Sequence, residues 1–153
     1  MIAADESFYM EYIIRELMME DCESIHQLNV NEMGYEITPD ETKANLVKLI
    51  KSSSDKIYVA VCGTEVAGYI HVNDYDLIYA PHMKNIMGIA VAEKWQRKGI
   101  GKALLSEAEK WAKQTDAKGI RLVSGAARTE AHKFYHSCGY SGDKAQINMS
   151  KMF

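Results

Sequence analysis

The chain has 153 residues, of which 47% are apolar and 25% charged, with a formal net charge of −3. That length suits one domain over residues 1–153 and is too short for two good cores, and the mixture reads as soluble and globular. The acidic balance argues against a nucleic-acid binder, and the absence of an apolar run near the ~18 residues of a membrane span argues against a membrane protein. The N-terminus, "MIAADESFYMEY", carries acids where an export signal carries bases, and its first ten residues read as a loose tail. Cys22, Cys62 and Cys138 are odd in number, far apart and without a CxxC pair, as expected of reduced thiols in a cytoplasmic protein.

In chain order, "YIIREL" from Tyr12 predicts a short strand. "MEDCESIHQLNVNEM" predicts a helix with Asp21 as its cap and Ile25 and Leu28 facing inward. "TPDETKANLVKLIKS" predicts a second helix: Thr38 caps it, Pro39 suits its first position, and Leu46, Leu49 and Ile50 form its apolar stripe. After the loop "KSSSDK", "KIYVAVC" and "EVAGYIHV" predict a hairpin turning at Gly63-Thr64. "NIMGIAV", residues 85–91, is apolar enough for a strand buried on both faces. The longest helix covers about residues 99–115, with Ile100, Leu104, Ala108 and Trp111 at helical spacing. "GIRLVSG" predicts a strand, "TEAHKFYHSCG" a helix stopped at Gly139, and "QINMSKMF" a final alternating strand, with one more short strand near residues 139–141. The order is that of an α/β (α+β) domain. A mixed, mostly antiparallel sheet of six to seven strands is flanked by about four helices, and the helix-linked strands 85–91 and 119–124 are parallel.

One stretch concentrates charge and bare backbone. "EKWQRKGIGKALL", residues 93–105, sets Lys94, Arg97, Lys98 and Lys102 against Glu93 alone at the start of the longest helix. A helix start offers unpaired N–H groups and the positive end of the dipole, which suits a phosphate. Gly99 and Gly101 remove side chains that would hold an anion away from the backbone. Two nucleotide motifs fail here. Gly101-Lys102 is followed by Ala103 rather than the Ser or Thr of a Walker A loop, and Leu104 stands where a dinucleotide fingerprint needs its third glycine. Taken alone, the turn reads equally well as a basic helix cap.

The turn is joined, after the next strand, by "ARTEAHKFYHSCGY". With Gln96-x-x-Gly99-x-Gly101 before it, this segment closely resembles the GNAT superfamily of acyl-CoA-dependent N-acyltransferases. Arg128, Glu130, Ala131, His132, Phe134, Tyr135 and Gly139 match that family's pattern, with Tyr140 in place of its usual Phe. The resemblance implies acetyl-CoA as acyl donor, with its pyrophosphate on the backbone of Arg97, Lys98, Gly99, Ile100, Gly101, Lys102 and Ala103 and with Gln96 orienting the turn. It implies that the parallel strands splay and that the pantetheine arm pairs with the open edge at Ile89, Ala90 and Val91. Arg128 and His132 also fall at the cofactor. A backbone N–H near Gly88 to Ala90 would serve the developing oxyanion, and a glycine there is compatible with a bulge. Tyr135 is the family-matched acid for the departing thiolate, a proton exchange that a phenol pKa near ~10 makes feasible.

The acceptor is read less directly. The family's acceptor loops correspond to "NVNEMGYEITPD" and "NDYDLIYAPH", which make Glu32, Tyr35, Asp74 and Tyr79 candidate contacts for a cationic amine, equally readable as a solvated acidic surface. No general base stands out; Asp74, Asp76, His82 and Glu32 are the nearest candidates. His132 and His136 lie one turn apart without a third ligand at a recognisable spacing, so no metal is expected. Cys138 and His136 do not face each other at i, i+2, which disfavours an acyl-enzyme. The function expected is N-acetyl transfer from acetyl-CoA directly to a primary amine of a small molecule or peptide, with no nucleic-acid or membrane partner. The alternative is a non-catalytic acyl-CoA sensor of the same fold. "QINMSKMF" could pair between subunits of a homodimer.

Overall fold

The computed structural model describes residues 11–153, so the segment read as a tail lies outside the described residues. The chain divides into two compact units, one ending at Leu122 and one running from Val123 to Phe153. The first contains a five-stranded sheet in sequential order: β1 (Ile13–Glu16), β2 (Asp55–Cys62), β3 (Glu65–Tyr75), β4 (Met83–Val91) and β5 (Ile120–Leu122). All neighbours are antiparallel except β4 and β5. That exception is the crossover expected from the helix between them, α3 (Ile100–Gln114).

Helices α1 (Cys22–Asn31) and α2 (Pro39–Lys51) cover one face, burying Ile25, Leu28 and Leu46 with Leu17, Ile57, Val59, Tyr69 and Ala90. The alternate strand residues turn to α3, where Lys84 meets Trp111 and Tyr58 lies near Glu107. Ile100, Leu104, Leu105, Ala108, Trp111 and Ala112 are buried along α3, the repeat its sequence announces. Side chains such as Leu104, fully buried, contribute roughly 1.5–3 kcal/mol each.

Local chemistry explains most element ends. Thr38 caps α2 reciprocally with Glu41: its Oγ1 accepts from the Glu41 N–H at 3.1 Å, and the Glu41 carboxylate accepts from the Thr38 N–H at 2.8 Å. Asp21 does stand before α1, after a 3₁₀ turn (Met19–Asp21), but its carboxylate makes no cap. It accepts two bonds from Arg15, at 2.7 and 2.8 Å, and one from the Met18 N–H at 2.8 Å. Burial works against the charged form of Asp21, yet these bonds outweigh it and hold the carboxyl below its ordinary range.

Several expectations need correction. The sheet of the described residues has five strands, not six or seven. "QINMSKMF" forms no strand, and Ile147, Met149, Met152 and Phe153 are exposed; alternation supplies a face but no partner ladder. Nor does residues 139–141 form one. On α2, Leu46 is buried but Ile50 is 45% exposed, so the apolar stripe is narrower than its sequence suggests. On β4, Met87 is 56% exposed, so this strand is not covered on both faces throughout.

Candidate active site

The basic turn links β4 to α3. After a 3₁₀ turn (Glu93–Trp95), Gln96 Nε2 donates to the Val91 carbonyl at 2.9 Å and ties the loop to the end of β4. Arg97 follows with φ 61°, a left-handed conformation that costs a non-glycine residue roughly 1–2 kcal/mol. Gly99, at φ 83°, occupies the cap position of α3. A side chain there would meet nothing within 4 Å, so it is the dihedral that selects glycine. No side chain caps α3, and the first backbone bond runs from the Ala103 N–H to the Gly99 carbonyl at 3.0 Å. The N–H groups of Ile100, Gly101 and Lys102 therefore begin the helix without a backbone partner, in contrast to the fully capped α2. Arg97, Lys98 and Lys102 lie within or beside this entrance; Lys94 instead pairs with Glu65 at 2.8 Å. These residues fit a pyrophosphate: free donors, a positive dipole end and cations, with no carboxylate in the first turn of the helix.

The strand before the turn is open in the same region. Parallel pairing with β5 covers only Lys84, Asn85 and Ile86. Beyond Ile86 the outer edge of β4, which includes Ile89, Ala90 and Val91, has no strand partner among the described residues. The opening coincides with a bulge. Ile86 faces Val72 and Gly88 faces His71, leaving Met87 as the extra residue. On the inner side, Gly68 holds β4 close, since a Cβ there would stand 2.6 Å from the Ala90 carbonyl oxygen. A Cβ on Gly88 would lie 3.8 Å from the Tyr69 hydroxyl. That hydroxyl donates to Asn29 Oδ1 at 2.5 Å, and burial, assisted by Tyr35, pushes its pKa up to about 12.

The candidate acceptor residues do not converge. Asp74 is bonded to the buried Lys84, whose Nζ lies 3.9 Å from the Trp111 ring centre, so Asp74 faces α3. Asp76 holds His82 Nδ1 at 2.7 Å. The Glu32 carboxylate accepts from the Glu93 N–H at 3.0 Å and so links the end of α1 to the basic turn. Tyr35 and Tyr79 are exposed in their loops. The opposite face of β3 instead carries a polar row absent from the expectations: Tyr69, His71, Asn73 and Tyr75. His71 Nε2 lies 2.7 Å from Asp55 Oδ1, and Ser52 Oγ donates to the other oxygen of Asp55 at 2.6 Å. Arg121 of β5 donates to Asn85 Oδ1 at 2.6 Å and stacks 4.3 Å from the centre of the Tyr75 ring. The signal was present in "GYIHVNDY", where every second residue of a strand is polar or aromatic.

In the second unit, α4 (Thr129–Ser137) begins after Arg128. Tyr135 is half-buried; burial raises its pKa above the ordinary phenol value, Arg128 opposes this and Cys138 adds to it. Its ring packs against Phe134 and Tyr140, at centroid distances of 5.3 and 6.1 Å. His132 Nε2–H donates to the Gly125 carbonyl and His136 Nδ1–H to the Tyr140 carbonyl, each at 2.9 Å. Among the described residues no group of three or more His, Cys, Asp or Glu side chains stands together as a metal site.

A helix entrance with free donors beside an opened parallel strand is the framework of an acyltransferase. The sequence profile of the acetyltransferase (GNAT) family matches residues 12–140, and the chain belongs to that family. It is 29% identical over 132 residues to the aminoalkylphosphonate N-acetyltransferase of Salmonella typhimurium, covering 83% of each chain. It resembles the crystal structure of a transcriptional regulator from Bacillus halodurans C-125, with a TM-score of 0.83 and 21% identity over 92% of this chain and 100% of that one. It also resembles the aminoglycoside N-acetyltransferase AAC(6')-Iy in complex with CoA, with a TM-score of 0.83 and 14% identity over 92% and 95% of the two chains. The two structural likenesses establish the fold.

Proposed function

We propose that the protein transfers an acetyl group from acetyl-CoA directly to a primary amine of a small molecule. The observation that carries this reading is the uncapped start of α3, with three free N–H groups and with Arg97, Lys98 and Lys102 adjacent in sequence, beside a strand whose edge opens at a bulge. Family membership and the CoA complex of the structurally similar AAC(6')-Iy support the choice of donor.

Bound acetyl-CoA supplies a thioester, whose C–S bond gives way to a C–N bond while the amine loses a proton and the sulfur gains one. The chain supplies the rest. Ile100, Gly101 and Lys102 donate backbone N–H groups to the pyrophosphate, with Arg97 and Lys98 adding charge. The open edge at Ile89–Val91 takes ligand amides in place of a neighbouring strand. A backbone N–H between Gly88 and Ala90 donates to the oxygen on which negative charge develops. Tyr135 gives its proton to the departing sulfur. Its raised pKa keeps the phenol protonated at neutral pH, as an acid must be. Arg128 and His132 belong to the same family-matched segment and assist on the cofactor side.

The test is thiol release from acetyl-CoA over a panel of primary amines, with the product identified by mass. Tyr135→Phe should lower turnover about 10²-fold while CoA affinity changes less than threefold. Tight CoA binding with no turnover on any amine would instead identify a sensor.

A further inference from the structure

The half of the sheet face beyond the end of α1 has a composition of its own. Along β3 the row runs Tyr69, His71, Asn73, Tyr75. Tyr69 packs under α1 through Asn29 and Met33, and its neighbour Ala90 belongs to the apolar core. Past that point His71 is fixed by Asp55. The remaining positions belong to one cluster around Arg121, formed by Tyr75, Asn73 and Asn85, with the exposed Met87 beside it.

Arg121 is partly buried, yet its partners among the described residues are neutral: the Asn85 amide oxygen and the face of Tyr75. No carboxylate of the described residues lies within ion-pair distance of it. The nearby acids are committed elsewhere: Asp55 to His71, Asp74 to Lys84 and Asp76 to His82. A guanidinium has five donors in a planar fork, and one bond to Asn85 leaves most of them available for a planar or tetrahedral oxyanion. Partial burial without a counter-charge is unfavourable for the isolated protein, and an anionic ligand relieves it. Stacking on Tyr75 and the bond to Asn85 set the orientation of the fork before any ligand arrives.

Position completes the case. Arg121 is the register partner of Asn85, three residues before Gly88 on β4. Because of the bulge, those residues span only Asn73 to His71 on β3, about 7 Å along the strand at ~3.3 Å per residue. With the inter-strand spacing of about 5 Å between β4 and β5, the path from Arg121 is roughly 8–9 Å, and a hydrogen bond of about 3 Å at the acid end and an approach of about 3 Å at the amine end leave roughly 2–3 Å between them. That is the span of a chain of one or two carbons.

We infer that Arg121, preset by Tyr75 and Asn85, is the specificity element of the acceptor site, and that the acceptor is a short primary amine carrying an oxyanion group, phosphonate or carboxylate. This rests on the acetyltransferase reading above and narrows it. The cation at this position selects against polycationic acceptors.

The experiment measures kcat and KM with acetyl-CoA for 2-aminoethylphosphonate, 3-aminopropanoate, propylamine and 1,3-diaminopropane, in the wild type and in Arg121→Gln and Arg121→Lys. The acid-bearing amines should exceed the neutral and dicationic ones at least tenfold in kcat/KM, and the two acids distinguish phosphonate from carboxylate. Arg121→Gln should raise KM for the acid-bearing amines at least tenfold, with kcat and CoA affinity changed less than threefold, and Arg121→Lys should fall between. Equal use of all four amines, or an equal KM rise for all of them in Arg121→Gln, overturns the inference while leaving acetyl transfer intact. If no amine turns over, calorimetry with CoA present decides. Binding of either acid-bearing amine that is lost in Arg121→Gln supports the site, and no binding of either refutes it.

Discussion

Gly101→Glu separates two effects that a merely structural helix start would keep together. Gly101 is the second residue of α3, and its N–H has no backbone partner. Replacing glycine inside a helix gains roughly 0.5–1 kcal/mol. A carboxylate in the first turn of an uncapped helix gains a further ~0.3–1 kcal/mol from the dipole. The fold should therefore become about 1 kcal/mol more stable, which for a chain of this size raises Tm by roughly 2–4 °C. CoA binding should move the other way. Two unit negative charges about 5 Å apart repel by about 3 kcal/mol at an effective dielectric of ~20. If salt and solvent at this exposed turn halve that figure, the remaining ~1.5 kcal/mol is still more than a tenfold loss of affinity. Calorimetric titration with CoA and a thermal melt of the same sample read both quantities. A folded Gly101→Glu protein whose CoA affinity stays within threefold of wild type would refute the placement of the pyrophosphate on this turn. Gly101→Ala is the control: it should retain the gain in stability and most of the affinity.

Arg97→Gly should relieve the left-handed strain at φ 61°, raising stability by about 1 kcal/mol, while removal of the cation weakens CoA binding several-fold; a thermal melt and a titration check the two signs. Asp21→Asn should cost roughly 2–3 kcal/mol in a urea titration, because Arg15 loses its charged partner. Asp21 is held below its unfolded value, so its contribution is present above about pH 4 and lost as pH falls through the lower folded value; the Asn variant should lack this component of acid destabilisation. Tyr69 has a pKa raised to about 12, so the stability it confers is complete below about pH 10 and is lost as pH rises towards 12. A two-unit shift corresponds to about 3 kcal/mol, and Tyr69→Phe should flatten the alkaline limb of the stability curve by about that amount.

What could be read in the sequence was what local chemistry decides. Thr38, Pro39 and Glu41 specify the start of α2 within four residues, and the structure shows that cap in full. The buried stripe of α3 follows from spacing alone, and the Gly99 turn from the position of its glycine. The failures involve partners remote in sequence or space. Asp21 has the right residue type in the right place for a cap, but Arg15 on β1 captures its carboxylate. "NIMGIAV" is apolar enough for a doubly covered strand, but its covering ends where β5 ends, and no residue before Leu122 announces that. "QINMSKMF" alternates convincingly and pairs with nothing in the described structure. Arg121 is one cation among the apolar residues of "GIRLVSG", and its meaning depends on the nearby acids being paired with other residues.

β4 combines two kinds of pairing in one strand. Its first half is paired on both sides, with β3 and with β5, and it holds Asn85 and hence Arg121 in fixed register. Its second half is paired on one side only among the described residues. The bulge at Met87 separates the halves, and a bulge adds a local bend and twist to its strand. One extra residue thus divides a single strand into two parts that match the proposed roles: residues paired on both sides for the acceptor before the bulge and an unpaired edge for the donor after it. Deleting Met87 would restore regular pairing with β3 and leave Gly88 through Val91 opposite their present partners, His71 to Gly68, while removing the bend and twist that the bulge adds between the halves. In the proposed reaction, the angle between the donor edge and the acceptor residues therefore depends on a residue that need touch neither substrate.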